Sequence, residues 1–202
     1  GLQSVEVDMS AEIPDDPDDA GRDIDVLWVN NFRDFKRPDL LLEIARQMPE
    51  TSFTMIGGKM QNEESLYDDT ERQALELDNV DFVGGVPYSE VNAYFERAKL
   101  FLNTSDSEGF PNSFLQAWVR RVPVISYFDP DKLIAGKGIG ISVDTQNDFV
   151  AAISSLMADD AARLEAGQRS RQFVVDRYSP DAIAAQYEKL IEQEFDIRAD
   201  TR

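Results

Sequence analysis

Apolar positions along this chain follow two alternating patterns. Mainly apolar runs of strand length occur at Val26 to Val29, Phe53 to Ile56, Val80 to Val83, Leu100 to Leu102 and Val122 to Ile125, with a further short one from Ile139 to Val143. Between them the apolar residues recur at three- and four-residue spacing, the mark of a helix with one buried face. The first such segment begins at Pro38 and sets Leu41, Ile44, Ala45 and Met48 on one side. Others span Glu63 to Leu77, Ser89 to Ala98 and Pro111 to about Arg120. Strand runs without polar alternation are buried on both faces, and their alternation with helices predicts a mainly parallel sheet with right-handed crossovers. The expected fold is therefore α/β, a Rossmann-like three-layer sandwich. After Asn147 the pattern is helical, with a last helix starting at Ser179-Pro180-Asp181, where Ser179 suits the N-cap and Pro180 the first helical position.

Three stretches follow from the same pattern. Residues 1–23 hold Asp15-Asp16-Pro17-Asp18-Asp19 and few large apolar side chains, so they read as a solvated acidic lead-in. Residues 24–195 form the ordered domain, and residues 196–202 a tail. No internal repeat stands out.

In a doubly wound sheet the ligand lies beyond the carboxyl ends of the strands. The first strand is followed by Asn31, Arg33, Lys36 and Arg37 just ahead of Pro38, so cations gather before a helix N-terminus, an arrangement that attracts phosphate. Read alone, that segment is equally a solvated basic loop. Gly57-Gly58-Lys59 after the second strand is a turn that lets a ligand approach closely, a weak signal by itself. The fourth strand runs into Asn103 to Asn112, in which Gly109 permits a bend and Pro111 a helix start, with Glu108 placed to accept sugar hydroxyls or simply to complement the helix dipole.

Composition narrows the chemistry. The 202 residues carry 39 acidic against 20 basic side chains, a formal charge of −19, which disfavours nucleic acid and anionic membranes as partners. Asp supplies 24 of the acids and Lys only six of the bases, so a halophilic source is expected. Cys and His are both absent, which excludes disulfides, thiolate chemistry, imidazole bases and the usual zinc sites. No dinucleotide or P-loop glycine pattern occurs, so NAD and ATP lose their usual support. Three Asp-x-Asp spacings are what 24 Asp give by chance, and no catalytic metal is expected. The chain offers neither a leader nor a long uncharged apolar run, which makes the cytoplasm the expected location.

Several ordered blocks together resemble one family. Ser105-x-x-Glu108-Gly109-Phe110-Pro111-Asn112, followed by Leu115-Gln116-Ala117-Trp118 and Val122-Pro123-Val124-Ile125, is similar to the signature region of the family-4 glycosyltransferases, glycosyl transferases group 1. Leu27-Trp28-Val29, Lys36 to Leu41, Asn79 to Gly84 and Gly138-Ile139-Gly140 fall at that family's spacings too. The resemblance covers about residues 24 to 190 and implies the C-terminal, donor-binding half of a GT-B fold with extra C-terminal helices. It implies that Lys36 meets the donor diphosphate, with Asn31 and Arg33 beside it, where many members carry Arg in place of Asn31. Glu108 would hold the transferred sugar, with Ser105, Gly109, Phe110 and Asn112 around the sugar and phosphates. Gly57 would line the donor site and the backbone of Phe82 and Val83 would meet the base. At Gln116 the family has the second Glu of an E-x7-E pair, which accepts the ribose hydroxyls; Gln accepts without a charge.

What the resemblance implies is a retaining, metal-independent transferase that takes a sugar from a UDP- or GDP-sugar and needs no cofactor. An acceptor-binding domain would precede residue 1, and any membrane association would come through that half. Gln116 and Asn31 keep a second class of function open, a non-catalytic nucleotide- or protein-binding module.

Overall fold

The computed structural model describes the backbone of residues 9–200 and the side chains of residues 9–192. Six strands, β1 (Ile24–Val29), β2 (Phe53–Ile56), β3 (Val80–Gly84), β4 (Ala98–Asn103), β5 (Val124–Ser126) and β6 (Gly140–Ser142), form one sheet. Its order is β3-β2-β1-β4-β5-β6, and every neighbouring pair is parallel. The chain leaves β1 for one edge, returns to β4 beside β1, and continues to the other edge. The direction of winding thus reverses between β1 and β4, which opens a crevice at their carboxyl ends.

The helices are α1 (Pro38–Gln47), α2 (Glu64–Ala74), α3 (Tyr88–Arg97), α4 (Asn112–Val119), α5 (Leu133–Lys137), α6 (Gln146–Ala158), α7 (Asp160–Tyr178) and α8 (Pro180–Asp200). Side chains along a strand alternate between faces, so the sheet builds two cores. Val26, Trp28, Leu100, Leu102 and Ile125 face α1 and α6. Leu27, Phe101 and Val124 face α3, α4 and α7. Each Phe, Leu or Trp that disappears fully from solvent contributes about 1.5–3 kcal/mol, and Trp28, Phe101, Phe114 and Trp118 all do so. The expected strands and long helices are present within a few residues. Ser179 caps α8 through the Ala182 amide, which donates to its Oγ at 3.2 Å. One helix, α5, has no counterpart in the sequence reading.

The lead-in differs from its expectation. From residue 9 on it is anchored to the domain while most of its side chains stay exposed: Ala11 donates its amide to the Tyr178 carbonyl at 2.7 Å, and Ala11 and Ile13, partly buried, pack against the second core. Its acids are held by distant arginines, Asp16 by Arg121 and Arg171, and Asp19 by Arg22 and Arg121. Residues 1–8 of that segment lie outside the described residues. The expected tail at 196–202 is also altered, because α8 continues through Asp200; residues 201 and 202 lie outside the described residues.

Candidate functional site

The crevice between β1 and β4 is an open cleft of about 500 Å³. Its floor is the strand ends, Val29 to Asn31 and Ile56 to Gly58, and its far wall is the start of α4, Phe110 to Ser113 with Gln116. Lys36 and Glu108 close one end.

The floor is fixed by backbone contacts that leave no room for side chains. The Asn30 amide donates to Ile56 O at 3.0 Å and the Gly57 amide to Gly84 O at 2.9 Å. A Cβ on Gly57 would stand 1.9 Å from the Asn30 carbonyl oxygen, so the residue must be glycine for these loops to pack together.

Lys36 ends a 3₁₀ turn, Asp34–Lys36, and Arg37 after it adopts a left-handed backbone (φ 51°). Three contacts tie this turn to the loop after β4. The Thr104 hydroxyl donates to the Lys36 carbonyl at 2.7 Å, the Asp106 amide donates to the Phe35 carbonyl at 2.9 Å, and the Lys36 ammonium pairs with Glu108. Thr104 is itself held by the buried Trp28 indole, which donates to its Oγ1 at 2.9 Å. Lys36 and Glu108 retain only 14% and 10% of their side-chain exposure, so their charges face each other in a partly dehydrated setting where electrostatic contacts gain strength.

Of the three cations that the sequence sets before α1, the structure sends one to the cleft. Arg37 forks onto Asp39 and reaches Asp106; hydrogen bonding to Asp39, with Asp106 adding, raises its guanidinium above the ordinary value. Arg33 is exposed and does not line the cleft, whereas Asn31 does. The N-terminus of α4 has no side-chain cap; the Phe114 amide donates to the Pro111 carbonyl at 3.0 Å, which leaves the amides of Asn112 and Ser113 to meet an anion.

The remaining predicted residues divide. Gly57, Phe110, Asn112 and Gln116 line the cleft. Ser105 does not: it is buried, and its hydroxyl donates to Asn103 Oδ1 at 2.6 Å, shaping the loop. Gly109 faces a second cavity of about 450 Å³ on the other side of Glu108, beside Phe128 and Asp131. Phe82 and Val83, whose backbone was expected to meet the base, are not among the residues lining the cleft; their side chains pack on Phe32 and Tyr67 and on the second core. Val86 and Tyr88, just beyond β3, line the cleft instead. The strand-end rule that singled out the other loops would have found them. Asn92 also escaped the sequence: on α3, it accepts a hydrogen bond from Gln116 Nε2 at 3.2 Å.

This geometry, an uncapped helix start and one lysine facing one glutamate at a topological switch point, suits a ligand that is anionic at one end and rich in hydroxyls at the other. The sequence profile of the family "Glycosyl transferases group 1" matches residues 10–173, and the chain belongs to that family. The O-antigen biosynthesis glycosyltransferase WbnH of Escherichia coli is 30% identical over 159 residues, 76% of this chain and 44% of that protein. The chain spans about half the length of the curated relatives it matches. Among solved structures, a Staphylococcus aureus TarM variant in complex with fondaparinux, α-GlcNAc-glycerol and UDP superposes with TM-score 0.75 at 22% identity, over 92% of this chain and 39% of that one. Anabaena HepE in complex with UDP and glucose gives 0.72 at 14% identity, over 85% and 48%. The sheet and its flanking helices are thus those of GT-B glycosyltransferases.

Proposed function

We propose that the cleft binds a nucleoside-diphosphate sugar and that the chain is the donor half of a retaining, metal-independent glycosyltransferase. The observation that carries this reading is the Lys36–Glu108 pair at the switch point. Without a ligand each charge is answered by the other. An arriving diphosphate takes over Lys36 and the amides of α4, and Glu108 is released to accept hydroxyls of the sugar. Catalysis is then mainly positioning, with Lys36 stabilising the charge that grows on the departing diphosphate. On this reading Lys36 and the α4 amides meet that charge without a metal.

UDP and GDP are both donors of this class; UDP is the first to test, since it is the nucleotide held by TarM and HepE. On this reading the cleft-lining Val86 and Tyr88 meet the base, and Gln116, hydrogen-bonded to Asn92, meets the ribose. The acceptor binds a second domain of a longer protein. Gln116 favours one other reading, a domain that holds the nucleotide without transferring sugar, because an amide carries no charge to anchor the ribose. Sugar transfer by the longer protein excludes that reading.

The test is a thermal-shift series with UDP, GDP, ADP and their sugars, with and without EDTA. A ligand that binds only the native state stabilises it with the logarithm of its concentration. Saturable stabilisation by a nucleoside-diphosphate sugar, unchanged by EDTA, is expected. No shift with any of them would contradict donor binding, and a shift abolished by EDTA would contradict metal independence.

A further inference from the structure

At the pole opposite the cleft, four cations from four separate elements line one small cavity. Arg22 precedes β1, Lys99 lies on β4, Arg121 is in the turn after α4, and Arg163 is on α7; together with Asp19 they enclose about 110 Å³. This is the amino end of the sheet, where the fold gives no reason to expect the donor. In a chain of charge −19 such a gathering runs against the composition.

The cations are buried and much of the charge that answers them is not. The Arg22 and Arg163 side chains keep 6% and 12% of their exposure, while Asp160 and Asp16, partners of Arg163 and Arg121, keep 78% and 64%; Asp19, which pairs with Arg22 and Arg121, keeps 23%, and Asp25, which pairs with Lys99, keeps 19%. Exposed partners contribute little attraction. Arg22 is accounted for by capping, since its guanidinium reaches the carbonyls of Ala98 and Arg120. Arg121 gives its two terminal nitrogens to Asp19 and Asp16, at 3.2 and 2.6 Å, but it sits in a left-handed backbone conformation (φ 58°) and its Nε is buried without a hydrogen-bond partner. A buried donor left without a partner costs free energy. Burial pushes the Arg22 guanidinium below its ordinary value, Asp19 opposes this, and the charges of Arg121 and Arg163 add to it, as expected of crowded like charges.

We propose that this cavity is a second ligand site, one that holds a single small tetrahedral dianion of the phosphate or sulfate type. Guanidinium groups match such an oxyanion in geometry as well as charge. The volume is several times the ~30 Å³ of a liquid water and takes a five-atom oxyanion; a nucleotide is too large. The site does not depend on the reading of the cleft.

Calorimetric titration with inorganic phosphate at fixed ionic strength tests it, with every protein carrying Lys36→Ala to weaken phosphate binding in the cleft. Saturable one-site binding is expected. Adding Arg163→Gln should weaken it at least tenfold and Lys99→Gln measurably, with melting curves confirming that both fold. Arg72→Gln, on the exposed face of α2, makes the same change in net charge and should leave it unaltered. Three results would overturn the proposal: no saturable binding, equal affinity with and without Arg163→Gln, or an equal loss in Arg72→Gln.

Discussion

The indole of Trp28 and the hydroxyl of Thr104 are hydrogen-bonded at 2.9 Å across the switch point, joining β1 to the loop that carries Glu108. Thr104 passes the contact on to the Lys36 carbonyl. A core tryptophan thereby fixes the backbone of the lysine that lines the cleft.

Thr104→Val keeps the shape and removes both hydrogen bonds, leaving a buried indole donor unpaired. We expect a loss of about 1–3 kcal/mol in stability, read from denaturant midpoints, together with a several-fold weaker donor affinity. Thr104→Ser keeps the hydroxyl and should retain most of both. Equal affinity in the valine and serine variants would show that this relay does not position Lys36.

Gln116 gives a prediction of opposite sign. Gln116→Glu puts a carboxylate where the cleft has a neutral acceptor, and charge-assisted hydrogen bonds are roughly twice as strong as neutral ones. The Asn92 amide can turn its NH₂ towards the new carboxylate. The nucleotide Kd is expected to fall roughly three- to tenfold, about 0.7–1.4 kcal/mol, and the gain should vanish with a 2′,3′-dideoxy nucleotide. A gain that survives without the hydroxyls would place Gln116 away from the ribose.

A charge of −19 on 202 residues repels itself, and salt shortens the range of that repulsion from about 10 Å at 0.1 M to about 3 Å at 1 M. The same salt weakens the surface ion pairs, but exposed pairs contribute little. The melting temperature should therefore rise between 0.1 M and 2 M NaCl, by roughly 4–8 °C if about 2 kcal/mol of repulsion is relieved. A flat or falling curve would argue against the halophilic reading of the composition.

How much of this was legible in the sequence depends on the range of the interaction involved. The strands showed because residues buried on both faces, such as Val26 to Val29, leave an unbroken apolar run. Lys36 and Glu108 showed because each lies in the loop after a strand and in a block that resembles the family, and the topology then brings together residues 72 apart. The packed lead-in did not show. Its acidic run reads as solvated, and only the fold brings Arg121 and Arg171 to Asp16. Nor did α5, five residues long and reached through two non-glycine residues, Asp131 and Lys132, in left-handed conformations. Phe82 and Val83 do not line the cleft: the Phe82 ring serves the Phe32–Tyr67 cluster, and the lining after β3 falls to Val86 and Tyr88.

The central claim is that Lys36 holds the diphosphate of a nucleotide sugar. Its most direct test is the Kd of the best-bound donor, measured by calorimetry for the natural chain and for Lys36→Ala. A hydrogen bond to a charged group is worth about 1.5–3 kcal/mol, so affinity should fall by roughly tenfold to more than a hundredfold, with the melting curve showing that the variant is folded. Unchanged affinity in a folded Lys36→Ala would contradict the account.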